Sequence, residues 1–166
     1  VVMKVLVAGG TGVIGRQLVP LLQEVGHEVV LLTRPGRVVA TPGVAVVEAD
    51  ALDGAAVRRA VRGASPEAVV NVLTAIPRPL NVKKFAQQFE TTNRLRREAT
   101  ASLVAAAPGA RHVAESIAFG YRPDGGPVAD ESRPFWDDGP AAFLPALHAL
   151  EELERFKWTF DLRLGA

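Results

Sequence analysis

Short, valine-rich apolar runs alternate along this chain with stretches in which apolar positions recur every three or four residues. Lys4–Ala8 (KVLVA) reads as a fully buried strand, and residues 13–25 follow as a helix. In that helix Ile14, Leu18, Leu21, Leu22 and Val25 fall on one face, and Gly26 is a C-cap candidate. Glu28–Thr33 (EVVLLT) is a second buried strand, closed by a turn at Arg34-Pro35-Gly36. Residues 44–48 predict a third strand, and Asp53 then stands as the N-cap of a helix running to about Arg62. Residues 68–73 predict a fourth strand, followed by loop from Pro77 to Pro79. A long helix is predicted over 82–107, with Phe85, Phe89, Leu95, Ala99 and Leu103 among its apolar members. A weaker fifth strand spans 111–116, and 120–140 reads as loop. Residues 141–156 are helical, with Leu144, Leu147, Leu150, Leu153 and Phe156 as apolar members, and 158–164 predict a sixth strand.

Strands without polar alternation, each followed by a helix, imply a parallel sheet covered on both faces. Right-handed crossovers then make it a doubly wound α/β sheet. The 166 residues, 48% apolar and 22% charged, suit one domain spanning 1–166 and exclude a disordered chain. No cysteine is present, which removes thiolate metal sites and cysteine nucleophiles and fits a reducing, cytoplasmic setting. Net charge is +1, but residues 1–111 carry +6 and residues 112–166 carry −5. The basic part suits an anionic small molecule. Its charges are dispersed, with no lysine-rich tail or aromatic-interleaved basic stripe, so nucleic acid is not an expected partner. No apolar stretch reaches membrane-spanning length, so no membrane is expected either, and Lys4 and Gly9-Gly10 argue against a signal peptide. His27 and His112 have no companions at metal-ligand spacing, and no metal site is assigned.

Between the first strand and first helix lies Gly9-Gly10-Thr11-Gly12-Val13-Ile14-Gly15. A GxxGxxG arises by chance roughly 0.1 times in such a chain, so its context carries the inference. It directly follows a buried strand and opens a helix, where a pyrophosphate meets close backbone and helix N-terminal amides. Gly9 permits the tight turn, Gly12 the approach, and Gly15 close helix–strand packing, with Thr11, Val13 and Ile14 between them. At the end of the second strand stand Thr33-Arg34, with Arg37 beyond and no acid nearby. Arginine there suits the 2′-phosphate of NADP, where an acid would select NAD. NADP is therefore the favoured cofactor, with NAD the alternative. Asp50 and Ala51, after the third strand, lie where an adenine would be contacted, and Leu73 closes the fourth strand; all three join the cofactor-binding set.

With these residues in view, the chain resembles the extended and atypical short-chain dehydrogenase/reductase superfamily, specifically its NAD(P)-dependent epimerase/dehydratase family. The opening KVLVAGGTGVIGRQLVPLLQEVGHEVVLLTR follows that family's fingerprint throughout. AVVEADALD at 45–53, ATASLVAAA at 99–107 and RHVAESIAFGY at 111–121 are further matches, as are Asp130-Glu131 and DLRLG at 161–165. The resemblance implies a Rossmann-type NAD(P)-binding fold and hydride transfer assisted by a Tyr-x-x-x-Lys pair and a serine. Here this chain departs from the family. The matching helix register places Leu144 at the tyrosine position and His148 at the lysine position, before Glu152. Tyr121 is the sole tyrosine, and Gly125 follows it four residues on. An ungapped register puts Ser116 on the first of the family's paired serines and Ile117 on the catalytic one, and Arg96 on the family asparagine. The candidate catalytic residues are accordingly Ser116, Tyr121 and His148, each with an ordinary structural alternative. Histidine titrates near neutrality, so His148 suits an acid or base.

The resemblance implies an atypical NAD(P)-dependent oxidoreductase or epimerase acting on a small carbonyl or sugar-nucleotide-like molecule. The alternative is a non-catalytic NADP-binding redox sensor of the NmrA-like kind, and a remnant without function is a third reading. Family members continue past the sixth strand into a substrate domain. The expectation is therefore a chain holding the dinucleotide half, with the substrate domain largely missing. Relatives pair through two long helices, matching 82–107 and 141–156 here, so a homodimer is expected, although apolar faces on those helices would equally serve the core.

Overall fold

A computed structural model describes residues 1–39, 41–123, 126 and 132–156. Five strands form one wholly parallel sheet: β1 (Lys4–Ala8), β2 (Glu28–Thr33), β3 (Ala45–Glu48), β4 (Ala68–Asn71) and β5 (Arg111–Ala114). Their spatial order is β3-β2-β1-β4-β5, so the chain winds outward from β1 in both directions and reverses between β1 and β4. Ala8, Asn71 and Ala114 stand in one register row at the C-terminal edge.

The central strands are apolar at every position because both faces are covered. Leu6, Ala8, Val30 and Leu32 face one side, where α2 (Gly54–Ala64) and α4 (Thr100–Ala106) supply Val57, Val61 and Leu103. Val5, Val7, Val29 and Leu31 face the other side, against Val19 of α1 (Val13–Glu24). β3 is the outer strand and exposes Ala45, Val46 and Glu48.

α1 corrects one expectation. Its buried residues are Gly15 and Val19, with Leu22 half-covered, whereas Ile14, Leu21 and Val25 are 48%, 57% and 67% exposed. The reason is Gly15: without a side chain it lets the helix sit directly on the Gly9-Gly10 backbone, and that contact sets which face turns inward. The expected stop is met. Gly26 (φ +89°) follows the cap, its amide bonding the Gln23 carbonyl and that of His27 the Leu22 carbonyl, a Schellman closure. Asp53 caps α2 as expected, its carboxylate accepting from the Ala55 and Ala56 amides.

The long helix is interrupted. A 3-10 turn (Val82–Lys84) leads into α3 (Phe85–Arg94), then a π-helical turn (Leu95–Ala99), then α4. α5 (Leu144–Arg155) packs on α3 and on the π turn, burying Ala146, Leu147, Ala149, Leu150 and Leu153. The apolar stripe of α5 is thus used within the chain. It begins at Leu144, three residues later than expected, after a turn over 141–143. The expected sixth strand, the DLRLG segment, Asp130-Glu131 and Gly125 lie outside the described residues. No described helix is long and apolar enough to cross a membrane.

Candidate functional site

In a parallel sheet every strand ends at the same edge, so the segments after β1 to β5 gather there. At the centre is the glycine turn. Gly9 holds φ +94°, a conformation side chains disfavour, and a Cβ there would stand 2.7 Å from the Val72 carbonyl oxygen just past β4. A Cβ on Gly15 would overlap the Gly10 Cα and the Gly9 carbonyl oxygen. These two glycines are required by packing within the chain. Gly12 is different: its backbone is extended (φ −78°, ψ −175°), and a Cβ would approach only the Gly9 oxygen, at 3.1 Å. Its own amide bonds that oxygen at 2.9 Å. As N-cap of α1 it makes no side-chain bond, so the first-turn amides of Val13, Ile14 and Gly15 have no intrahelical acceptor. An open backbone, no side chain in front and a helix N-terminus together make a cradle for a phosphate group.

On the β2 side, Arg34 and Arg37 are both exposed on the turn after Thr33. The Gly36 amide donates to Glu48 Oε1 (3.1 Å), tying this turn to the end of β3. A groove of about 330 Å³ runs between the glycine turn and residues 37–39 and 41, lined by Gly10, Thr11, Arg16, Arg37, Val38 and Thr41 among others. Arg16 Nε donates to the Thr11 carbonyl at 2.9 Å, which holds that guanidinium at the groove. Arg16 was missed by sequence reasoning; its position one residue after the last motif glycine was the available signal. Asp50 is exposed, with Oδ1 accepting from the Leu52 amide (2.9 Å), while Ala51 is buried beside Leu95 and Ala99 with Leu73 packed on them. The expected cofactor residues therefore share one edge of the sheet. A separate cleft of about 370 Å³ lies between β3 and α2, lined by Val47, Glu48 and Arg59 among others, away from the glycine turn.

On the β5 side the helix α3–π–α4 descends past the sheet edge with a polar face. Thr92 Oγ1 accepts from the Ala75 amide (3.0 Å), and Thr100 Oγ1 accepts from Asn71 Nδ2 (2.9 Å). Asn71 Oδ1 in turn accepts from the Leu73 amide at 3.1 Å, so one buried side chain shapes the exit of β4. Between these levels is Arg96, 3% exposed, with Nε, Nη1 and Nη2 all lacking a hydrogen-bond partner; Asn93 Oδ1 is also buried and unpaired. Burial pulls the Arg96 guanidinium below the ordinary arginine range, opposed by the charge of Glu115. Glu115 follows β5, its amide bonded to the Asn71 carbonyl, and burial raises its carboxyl above the ordinary range against the attraction of Arg96. Neither residue stood among the expected catalytic groups. A π turn is a frequent mark of a functional position in a helix, but hydrophobic spacing does not reveal it.

The three expected catalytic residues are not brought together by the described contacts. Ser116 is exposed, and its hydroxyl donates to Glu154 Oε1 on α5 at 2.7 Å. Tyr121 stacks on Phe135 at 5.3 Å and forms an isolated β-bridge with it, a structural role for the ring. His148 lies on the exposed face of α5, on the side away from the buried stripe, with Leu144 one turn before it. Among the described residues no group of three His, Asp or Glu side chains is placed to hold a metal ion.

Comparison with known proteins fits this geometry. A model of the NAD dependent epimerase/dehydratase family matches residues 5–113. A 3-diazoavenalumate denitrifying reductase from a Streptomyces species is 47% identical over 164 residues, covering 96% of this chain and 53% of that protein. Among solved structures, the Thermus thermophilus UDP-glucose 4-epimerase in complex with NAD superposes with TM-score 0.70 at 25% identity, over 92% of this chain and 49% of that one. A short-chain dehydrogenase/reductase superfamily protein from Agrobacterium tumefaciens with bound NAD gives TM-score 0.63 at 30% identity, over 92% and 44%. The chain thus spans about half the length of these relatives.

Proposed function

The chain belongs to the NAD dependent epimerase/dehydratase family, and on that premise we propose that it binds NADP across the glycine turn and serves a reductase that delivers hydride to a small electrophilic substrate. The observation that carries the reading is the turn itself: Gly12 leaves its front open, and the amides of Val13, Ile14 and Gly15 are presented to an anion. Thr11 borders the adjoining groove, Asp50 and Ala51 stand at the adenine end, and Leu73 stands beside the β4 exit. The absence of an acid after β2, with Arg34 and Arg37 there and Arg16 at the groove, supports the 2′-phosphate form. When bound, the dinucleotide supplies the hydride.

Leu144 at the tyrosine position replaces the phenol proton donor by an apolar side chain, which suits a reaction that needs no proton donor there. The Streptomyces relative is named as a reductase that denitrifies a diazo acid. Hydride added to the terminal nitrogen of an arenediazonium gives a neutral diazene. This loses dinitrogen and leaves the hydrogen on carbon, so atoms and charge balance without an external acid. A carbonyl acceptor, by contrast, forms an alkoxide that must be protonated. Diazo-type aromatic substrates are therefore the class we assign, and Ser116, Tyr121 and His148 take no proton-transfer role in it.

Titration of the protein with NADPH and NADH by nicotinamide fluorescence tests the cofactor. Arg34→Ala should weaken NADPH by about 10- to 150-fold, the loss of a charge-assisted contact of roughly 1.5–3 kcal/mol, and leave NADH nearly unchanged. Equal losses refute the phosphate role. Turnover of a carboxyarenediazonium salt with 4-deuterated NADPH should place deuterium on the carbon that lost nitrogen. Binding without turnover favours the redox-sensor reading instead.

A further inference from the structure

Arg96 is an anomaly that the dinucleotide reading does not use. A guanidinium 3% exposed with three unpaired nitrogens is costly unless a partner arrives, since buried donors are nearly always satisfied. Its place in the fold says where such a partner would lie. Thr100, one turn below, bonds Asn71 in the last row of the sheet, and Thr92, one turn above, bonds the Ala75 amide beyond it. Arg96 is therefore level with the β4 and β5 exits, on the side of the switch point opposite the Arg34 turn. In a dinucleotide lying across the glycine turn, that is the side of the reacting end.

Two features narrow the ligand. Glu115 is half-buried, and its charge is the one opposing the desolvation of Arg96. A doubly charged phosphate beside that carboxyl would be repelled more strongly than a single carboxylate, whose planar pair of oxygens also fits the guanidinium fork. Above this level lies an aromatic cluster whose outer member is exposed. Phe85 stacks between Phe89 and Phe143, each with centroids 4.1 Å apart, Ile117 packs on that cluster, and Phe119 is 48% exposed, edge-on to Phe85 at 6.5 Å. Phe89 and Arg96 lie seven residues apart on one helix, about 10 Å along its axis, the length of a small conjugated aryl acid.

We propose that Arg96 is the specificity-determining residue of the substrate site, receiving the carboxylate of an aromatic monocarboxylic acid whose ring lies against Ile117, Phe119 and Phe143. This rests on the reductase reading, for it assigns the substrate class of the same site.

The test uses calorimetric titration with cinnamate, its neutral isostere cinnamamide and inorganic phosphate, with and without saturating NADP⁺. Cinnamate should bind at least tenfold tighter than cinnamamide, and phosphate should compete poorly. Arg96→Met should erase the preference for acid over amide, Arg96→Lys should retain part of it, and Glu115→Gln should retain all of it. Because Arg96→Met replaces an unpaired buried charge by an apolar chain, its melting temperature should not fall; a residue kept only for structure would lower it. If Arg96→Met fails to fold, the wild-type comparison and Arg96→Lys still decide. Equal binding of acid and amide, no binding of cinnamate, tighter binding of phosphate, or a preference surviving in Arg96→Met each overturns the proposal. NADP⁺ affinity is read separately, so its absence would count against the cofactor reading and not against the subsite.

Discussion

Replacing the motif glycines one at a time separates the glycines that fold the turn from the one we assign to the cofactor. Gly9→Ala puts a methyl group on a residue at φ +94°, 2.7 Å from the Val72 carbonyl oxygen and 2.8 Å from its carbon. The strained backbone costs roughly 1–3 kcal/mol, and forcing β1 and β4 exits apart costs about as much again. At 2–4 °C per kcal/mol for a domain of this size, the melting temperature should fall by about 5–20 °C. Gly12→Ala introduces no such conflict: φ is −78°, and one oxygen lies 3.1 Å away. Its stability cost is about 0.5–1 kcal/mol, the ordinary difference between glycine and alanine at an N-cap. Yet the new methyl stands in front of the uncapped α1 amides. Loss of one charge-assisted bond to pyrophosphate is worth roughly 1.5–3 kcal/mol, or about 10- to 150-fold in affinity. Differential scanning fluorimetry and NADPH titration on both variants make the comparison. If Gly12→Ala binds NADPH as well as the parent, or melts as early as Gly9→Ala, the assignment of Gly12 to the ligand is wrong.

Three further outcomes follow from other parts of the fold. Asn71→Ala removes a buried side chain that donates to Thr100 and accepts from the Leu73 amide, so unfolding by urea should show a loss of about 1–3 kcal/mol. Leu6→Ala opens a void in the central strand at a position with 0% exposure and should cost about 2–5 kcal/mol in the same assay. Burial raises the Glu115 carboxyl, so the native state holds that proton to higher pH than the unfolded chain. Its contribution to stability therefore falls as pH rises from the ordinary carboxylate range through the raised native value. Glu115→Gln should melt higher than the parent near about pH 7 and lose that advantage below about pH 4; equal melting at both would show the carboxyl to be solvated.

Local rules carried the sequence a long way. Valine-rich runs without alternation specified a parallel, doubly covered sheet because each strand must bury both sides, and β1, β2 and the Asp53 cap stand where composition and spacing put them. The glycine motif was legible for the same reason: a left-handed backbone at Gly9 and a backbone contact too close for any side chain at Gly15 are written directly in residue type. Which face α1 buries was not legible, because Ile14, Leu21 and Val25 are as apolar as Val19, and only the close seat of Gly15 on the β1 turn turns them outward. Nor was the β5 side of the site. Asn71, Arg96, Thr100 and Glu115 are scattered over 45 positions, and although family-like stretches run through three of them, no spacing marks the four as one polar group. They become one polar wall only when the helix passes the sheet edge and shuts water away from a guanidinium. Ser116, Tyr121 and His148 show the reverse: chemically suitable residue types that the fold ties to Glu154, stacks on Phe135 and leaves on an outer helix face. Sequence determined the backbone because propensity and periodicity act between near neighbours. Tertiary structure decided which side chains are buried and unpaired, since burial depends on what distant segments bring against them.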